Sequence, residues 1–482
     1  MASLDHIPEE LITEIFNSLD PKDSLNFRLT CRAICNKSSY CVKRRFFKSR
    51  RFNFSRRALR TFIQVAKYGR FGSAIEEVSI TLTRWIHRNL HAKLWLINQP
   101  GYEFGGITHP ILVYPRRRWH RGLVEPADSE EDRAEIQRRA DECDSRTVDL
   151  LDLIEQGEDL TLLVDALKHL PNLRSICLRE GPGHCWNGNT IGGAPPCGGP
   201  DALEICWGLL GDAMDLRRLQ LLERHHLFTQ LLSSFSLTGP IPQLTSLDIC
   251  VSDFEYANEP STIPTFLSET LQTISLDFID SYDIRGNSRF GDGVVIPNPL
   301  KSGTADDWLV RFVNSCTQLK SLSVHFNNLY MALIIANIGT AMDLPRLERF
   351  SLAGYMLDFR TEHIYSRLVR FLSHHSPTLR SIYLADIKLG RMSWSDGPFY
   401  HTSDLLKELA QYKHLESVGF SRFTEGSLES HDMPVIVKSV IFEPHPNEPK
   451  KGSETWKFEG TPEEMRQRLG RLAGEYILTA PG

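Results

Sequence analysis

The sequence predicts an α/β protein: a three-helix unit at the amino end, then an irregular solenoid of helix-strand units with a parallel sheet. Three observations predict it. Residues 4–47 carry apolar side chains at helical spacing, broken at Asp20-Pro21. A six-residue pattern, apolar-x-x-apolar-x-apolar, returns between residues 75 and 420. Amphipathic helical stretches precede several of its copies. The chain has 482 residues, 41% of them hydrophobic and 24% charged, a globular composition able to bury a large core. Its net charge of −5, from 55 basic and 60 acidic side chains, gives no global field toward nucleic acid or membrane. Ten cysteines at this length do not make a disulfide scaffold. Met1 to His6 lacks a basic n-region, and no apolar run reaches about 18 residues. The expected setting is a reducing compartment, cytoplasmic and/or nuclear.

In the first unit, Ile7-Pro8-Glu9-Glu10 is a helix start, because proline is tolerated in the first turn and acids there suit the helix dipole. Leu11, Ile15 and Leu19 follow at four-residue steps, with Ile12 and Phe16 beside them, giving a wide apolar stripe. Asp20-Pro21 ends this helix. Asp23-Ser24 is expected to cap a second helix carrying Leu25, Phe27, Leu29 and Cys31, and a third runs from Ile34 to Phe47. So short a unit cannot easily bury this much apolar surface alone, so the stripe calls for a partner. That partner is either the rest of the chain or another protein.

The string Ile7-Pro8-x-Glu10-Leu11-x-x-x-Ile15-x-x-x-Leu19-x-x-x-Asp23-x-Leu25-x-x-Arg28-x-x-Cys31-Arg32, ending in Phe46-Phe47, resembles the F-box over residues 4–47. Ile7 stands where that family usually has leucine. The resemblance implies docking on a Skp-type adaptor and, through it, a cullin-RING ubiquitin ligase. By position it implies Ile7, Pro8, Leu11, Ile15, Leu25, Leu29 and Cys31 as contact or framework residues.

The repeated pattern begins at Ile75 and returns at Leu173, Leu216, Leu244, Leu271, Leu319, Leu347, Leu379 and Leu415. From Leu173 onward the starts are 43, 28, 27, 48, 28, 32 and 36 residues apart. Within each copy the last two apolar residues alternate, which is strand periodicity. Helical stripes such as Leu162-Leu163-x-x-Ala166-Leu167, Trp308-Leu309-x-x-Phe312-Val313, Leu368-x-x-Phe371-Leu372 and Leu405-Leu406-x-x-Leu409 lie upstream. Each helix-strand unit buries its apolar face only against its neighbours, which favours stacking. The series resembles the irregular leucine-rich repeats found behind many F-boxes. Leu319-Leu322-Val324-Asn327-Leu329 alone carries the fuller signature with its asparagine.

The expected organisation is an F-box at 4–47, a basic linker and helix at 48–70, and leucine-rich repeats at 71–430. Insertions fall near 87–146, 180–214 and 277–307. A cap or tail follows at 431–482, where Val435 to Phe442 alternates like a strand and Thr461-Pro462-Glu463-Glu464 reads as a capping box. Residues between the apolar positions of each strand project from the opposite face. Among them Arg179, Asp248, Asp277, His325 and Tyr383 are the larger members and the expected contacts to a protein target.

No sequence fingerprint of catalysis emerges. There is no G-x-S-x-G, Walker loop or G-x-G-x-x-G, so neither enzyme activity nor a cofactor is expected. His184, Cys185, Cys197 and Cys206 lack zinc spacing, and the adjacent pairs His225-His226 and His374-His375 do not match helical i, i+4 ligands, so no metal is expected. Arg116 to Arg121 and the acidic stretch Glu125 to Asp144 could pair with each other as a solvated loop. Lys43-Arg44-Arg45, Lys48, Arg50-Arg51, Arg56-Arg57 and Arg60 form a basic run interleaved with phenylalanines. Its favoured reading is an anchored linker rather than a nucleic-acid patch. The expected function is a ligase substrate receptor. The alternatives are an F-box scaffold outside a ligase, or a nuclear or nucleic-acid adaptor using residues 43–60.

Overall fold

The computed structural model describes residues 7–82, 138, 149, 152–180, 227–252, 264–279, 311–326, 342–358, 362–392, 402–428, 436–445, 448–453, 455–475 and 477–479. The expected insertions, the copy at Leu216, the Gly/Pro loop cysteines, His225-His226, Trp308-Leu309 and Asn327 lie outside or almost wholly outside the described residues. The chain forms two compact units, one of residues 1–210 with 233–244 and one of 211–232 with 245–482.

The first unit opens with α1 (Glu9–Ser18), α2 (Pro21–Arg28), α3 (Arg32–Lys37) and α4 (Ser39–Val42), followed by a π-helical turn at Lys43–Phe47. Glu9 and Glu10 occupy the first turn of α1, where the dipole favours acids. Asp20, not Asp23-Ser24, caps α2: its Oδ1 accepts the Asp23 N–H at 2.8 Å, and Pro21 fills the first helical position. Ser24 instead sits fully buried inside α2, its hydroxyl donating to the Asp20 carbonyl at 2.7 Å. The expected third helix is broken at the buried Ser38. Phe16, Cys41 and Val42 form the centre of this small core, with Phe27, Phe46 and Phe47 packed against it.

The same unit continues with β1 (Ser49–Asn53), α5 (Arg56–Lys67), α6 (Gly69–Gly72), β2 (Glu77–Leu82), α7 (Glu158–Leu167) and β3 (Ser175–Glu180). β1, β2 and β3 pair in parallel. The stretch expected to be a basic linker therefore contains a strand. Phe47-Lys48-Ser49-Arg50-Arg51-Phe52 is a further copy of the repeat, disguised because Arg50 fills the fourth, normally apolar, position. Arg50 pairs with the buried Val78, so its side chain shares the inward face.

The second unit contains β4 (Ser246–Ser252), α8 (Thr265–Thr270), β5 (Thr273–Ile279), β6 (Ser321–Phe326), β7 (Arg349–Asp358), α9 (Glu362–His375), β8 (Ser381–Met392), α10 (Thr402–Leu409) and β9 (Ser417–Ser421). These strands pair in parallel in sequence order. β10 (Thr424–Leu428) then pairs with the far half of β8, and β11 (Ile436–His445) turns back antiparallel to β10. β12 (Glu448–Ser453) and β14 (Ile477–Thr479) pair antiparallel with β11. β13 (Thr455–Glu459) lies antiparallel on β9, and α11 (Pro462–Glu475) packs on α10, covering the last helix-strand unit. The capping box forms: Thr461 N–H donates to Glu464 at 2.7 Å, and Glu464 N–H donates to the Thr461 hydroxyl at 3.3 Å.

One rule aligns the copies. Each described strand begins at the third residue of its motif, and the first motif residue, from Ile75 to Leu415, is buried. The carbonyl of the second residue accepts two N–H groups from the next copy. Glu76 accepts from Arg174 at 2.7 Å and Ser175 at 3.0 Å, and Lys48 accepts from Glu76 and Glu77 at 2.9 and 3.0 Å. Thr245, Gln272, Lys320, Glu348 and Arg380 do the same in the second unit. Where side chains at this second position are charged, described neighbours carry opposite signs. Lys48 and Arg174 flank Glu76 at 3.6 and 3.9 Å, Lys320 meets Glu348 at 4.0 Å, and Arg380 meets Glu416 at 2.7 Å. Opposite charges at facing positions favour this neighbour order over a slipped one.

Candidate functional site

The apolar stripe of α1 divides in two. Ile12 and Phe16 are fully buried, whereas Leu11 is 49% and Ile15 37% exposed. On α2, Leu25 is 44% exposed, and Leu29, at its C-terminal end, is 81% exposed. Pro8 is exposed and Ile7 half-buried. The Ile7 carbonyl accepts from the Lys37 ammonium at 2.7 Å, which ties the entry of α1 to α3. Cys31 is half-buried and caps α3, its Sγ accepting the Ile34 N–H at 3.5 Å. Pro8, Leu11, Ile15, Leu25 and Leu29 therefore face outward, and Ile7 and Cys31 hold the frame. Tyr40, on α4, is also strongly exposed, and no spacing in the sequence marked it. Several large apolar side chains left exposed on so small a helical unit mark a candidate interaction face.

Arg45 fixes this unit from behind. One of its terminal nitrogens donates to the Phe16 and Leu19 carbonyls, each at 2.9 Å, and to the Ser24 hydroxyl at 2.8 Å. Its guanidinium also lies 5.9 Å from the Phe16 ring centroid and 5.8 Å from that of Phe46.

Much of the basic run is paired within the chain. Arg56 meets Asp149 at 2.5 Å and Glu158 at 2.8 Å, and Arg60 meets Glu158 at 2.6 Å. Hydrogen bonds from Arg60 and Arg56 hold the Glu158 carboxyl below the usual carboxylate range. The Arg50 guanidinium stacks 4.1 Å from the Phe47 ring centroid, and burial pushes its pKa down to about 10. The pairing expected between residues 116–121 and 125–144 lies almost wholly outside the described residues.

On the repeat sheet, the residues between apolar positions face away from the core as the alternation requires. Asp277 and His325 sit opposite each other on β5 and β6, and the His325 Nδ1 lies 3.0 Å from the Asp277 carboxylate. Asp248 lies on the same face, opposite Ser275, and Tyr383 lies opposite Ser351 and Gly419. Gly419 is buried beneath Tyr383: a Cβ there would fall 2.6 Å from the ring. Ala385, by contrast, is buried rather than projecting. Arg179 belongs to the first unit, where it occupies β3 opposite Thr81 on β2.

Among the described residues, one group of side chains has the proximity of a metal site: Asp343, His374 and His375, with ligand atoms within 4.8 Å of one another. His375 has nothing left to give a cation. Its Nδ1 lies 2.8 Å from the Phe371 carbonyl and so carries the proton, and its Nε2 accepts the Leu344 N–H at 3.1 Å. Burial, and secondarily His374, lowers its pKa against the raising effect of the Phe371 carbonyl. The adjacent pair is thus a structural tie between α9 and the turn before β7.

Residues 4–46 match the family described as F-box domain. Among curated proteins, no sequence matches this one. A solved structure described as the Rad7 and Elc1 complex in yeast is similar at 12% sequence identity and a TM-score of 0.25, covering 86% of this chain and 80% of that one. So low a score carries no functional conclusion. No described helix is long and apolar enough to cross a membrane.

Proposed function

We propose, from the F-box domain at residues 4–46, that this chain docks a Skp-type adaptor and serves as the substrate-recognition subunit of a cullin-RING ubiquitin ligase. The observation that carries this reading is the outward set Leu11, Ile15, Leu25 and Leu29 on a unit whose own core is already filled by Ile12 and Phe16. In this reading Pro8 joins the contact face, and Ile7 and Cys31 support it. The repeat sheet presents the target, with Asp248, Asp277, His325 and Tyr383 on one face of the second unit and Arg179 on the first. The chain transfers nothing itself: it raises the effective concentration of its target beside the ligase. The nucleic-acid alternative is disfavoured because Arg45, Arg50, Arg56 and Arg60 are engaged within the fold.

Affinity capture of the full chain tests the proposal. The intact chain should recover a Skp-type adaptor and a cullin together, and Ile15→Glu combined with Leu29→Glu should lose both. Adaptor without cullin would favour the scaffold alternative. Capture unaffected by the double variant would overturn the docking face. A nucleic-acid role would survive the double variant and weaken steeply with salt.

A further inference from the structure

We infer that Arg45 is a positioning residue for adaptor docking: it sets the angle between the two helices that carry the contact face without touching the partner. The inference rests on the docking reading above and assigns a part of its machinery that the apolar face alone does not reveal.

The argument begins at the end of α1. The last carbonyls of a helix have no partner within it, and a cation there is favoured by the dipole. α1 has no basic residue in its own last turn. Arg45, from the π-helical turn, supplies the charge and donates to both the Phe16 and Leu19 carbonyls. The same nitrogen donates to the hydroxyl of Ser24, which is fully buried within α2. Ser24 in turn donates to the Asp20 carbonyl at 2.7 Å, its oxygen lying 3.2 Å from the Phe16 carbonyl. One guanidinium thus joins the C-terminus of α1 to the body of α2. Leu11 and Ile15 project from α1, Leu25 from α2, and Leu29 follows α2 directly. A rigid partner surface reads these side chains together, so its affinity depends on the angle that Arg45 fixes. Charge-assisted hydrogen bonds are the stronger kind, and a lysine, whose ammonium could donate to the same acceptors, lacks the flat guanidinium set 5.9 and 5.8 Å from the Phe16 and Phe46 ring centroids.

The test titrates the full chain with a purified Skp-type adaptor. Arg45→Met should weaken binding by about tenfold or more, and Arg45→Lys should recover only part of the loss. Ser24→Ala, which keeps the guanidinium, should weaken it several-fold. A double-mutant cycle supplies the discriminating readout. The penalty of Leu11→Ala should shrink in the Arg45→Met background, because a mispositioned Leu11 has less to lose. Full affinity in Arg45→Met would overturn the inference, as would full recovery by Arg45→Lys or an unchanged Leu11→Ala penalty. If Arg45→Met unfolds the helices, as circular dichroism would report, Ser24→Ala decides, with unchanged affinity counting against. Ile15→Glu separates the two claims. If it too binds at full strength the docking reading has failed, whereas its loss beside an unaffected Arg45→Met sinks only the role of Arg45.

Discussion

His375 shows how far a single side chain can commit itself. With Nδ1–H donating to Phe371 and Nε2 accepting from Leu344, only the neutral ring fits, and burial depresses its pKa below the ordinary 6.5. Above about pH 7 the ring is neutral in folded and unfolded chains alike, and its contribution is fully present. As pH falls through 6.5 the unfolded chain takes up a proton that the folded chain refuses, so stability drops until the lower folded pKa is reached. Urea unfolding at pH 7.5 and 5.5 should therefore show a loss that His375→Gln reduces; an identical loss in both proteins would remove His375 as the titrating group. The sequence excluded helical chelation by this pair but held no sign of its burial. The α1 stripe was similarly half-legible. Leu11, Ile12, Ile15 and Phe16 all lie at helical spacing. Which pair turns inward depends on where the later helices pack, and periodicity does not encode that.

At the scale of the element, the repeat was legible because backbone and side-chain signals coincide. A buried first residue, a strand starting two residues later and a doubly accepting carbonyl between them all follow from one six-residue pattern. The tail was readable for the same reason, through an alternating run and a capping box. β1 escaped because its inward fourth position holds Arg50, which reads as surface charge in any hydropathy pattern. That exception predicts its own repair. A partly buried guanidinium is penalised by lost hydration, against which stacking on Phe47 returns about 0.5–1 kcal/mol. Arg50→Met keeps the length of the side chain and removes the charge. It should stabilise the first unit by up to ~1 kcal/mol, allowing for the solvent that still reaches the group. Thermal unfolding would reveal an upward shift of the midpoint; a downward shift would mean that the Phe47 contact outweighs the buried charge.

For the whole molecule, the unexpected result is that the amino-terminal helical unit and the first repeat overlap. Phe47 packs on the core of Phe16, Cys41 and Val42, opens the first copy of the repeat, and stacks on Phe71 with ring centroids 3.9 Å apart. A boundary at residue 47 passes through a side chain that both parts use, because Arg50 hides the repeat copy that starts at Phe47 and the stretch after it reads as a basic linker. Removing residues up to 47 would therefore do more than delete a docking module. It would take the lead residue from the first strand copy and uncover the ring of Phe71 stacked on it. A chain beginning at Lys48 should lose adaptor capture and also unfold at a temperature lower by roughly 2–4 °C. Ile15→Glu, whose side chain already faces outward, should lose capture while keeping the unfolding temperature of the intact chain. Differential scanning calorimetry of the three proteins compares them directly. Equal unfolding temperatures for the truncated and intact chains would mean that the two parts are independent and that Phe47 belongs to the helical unit alone.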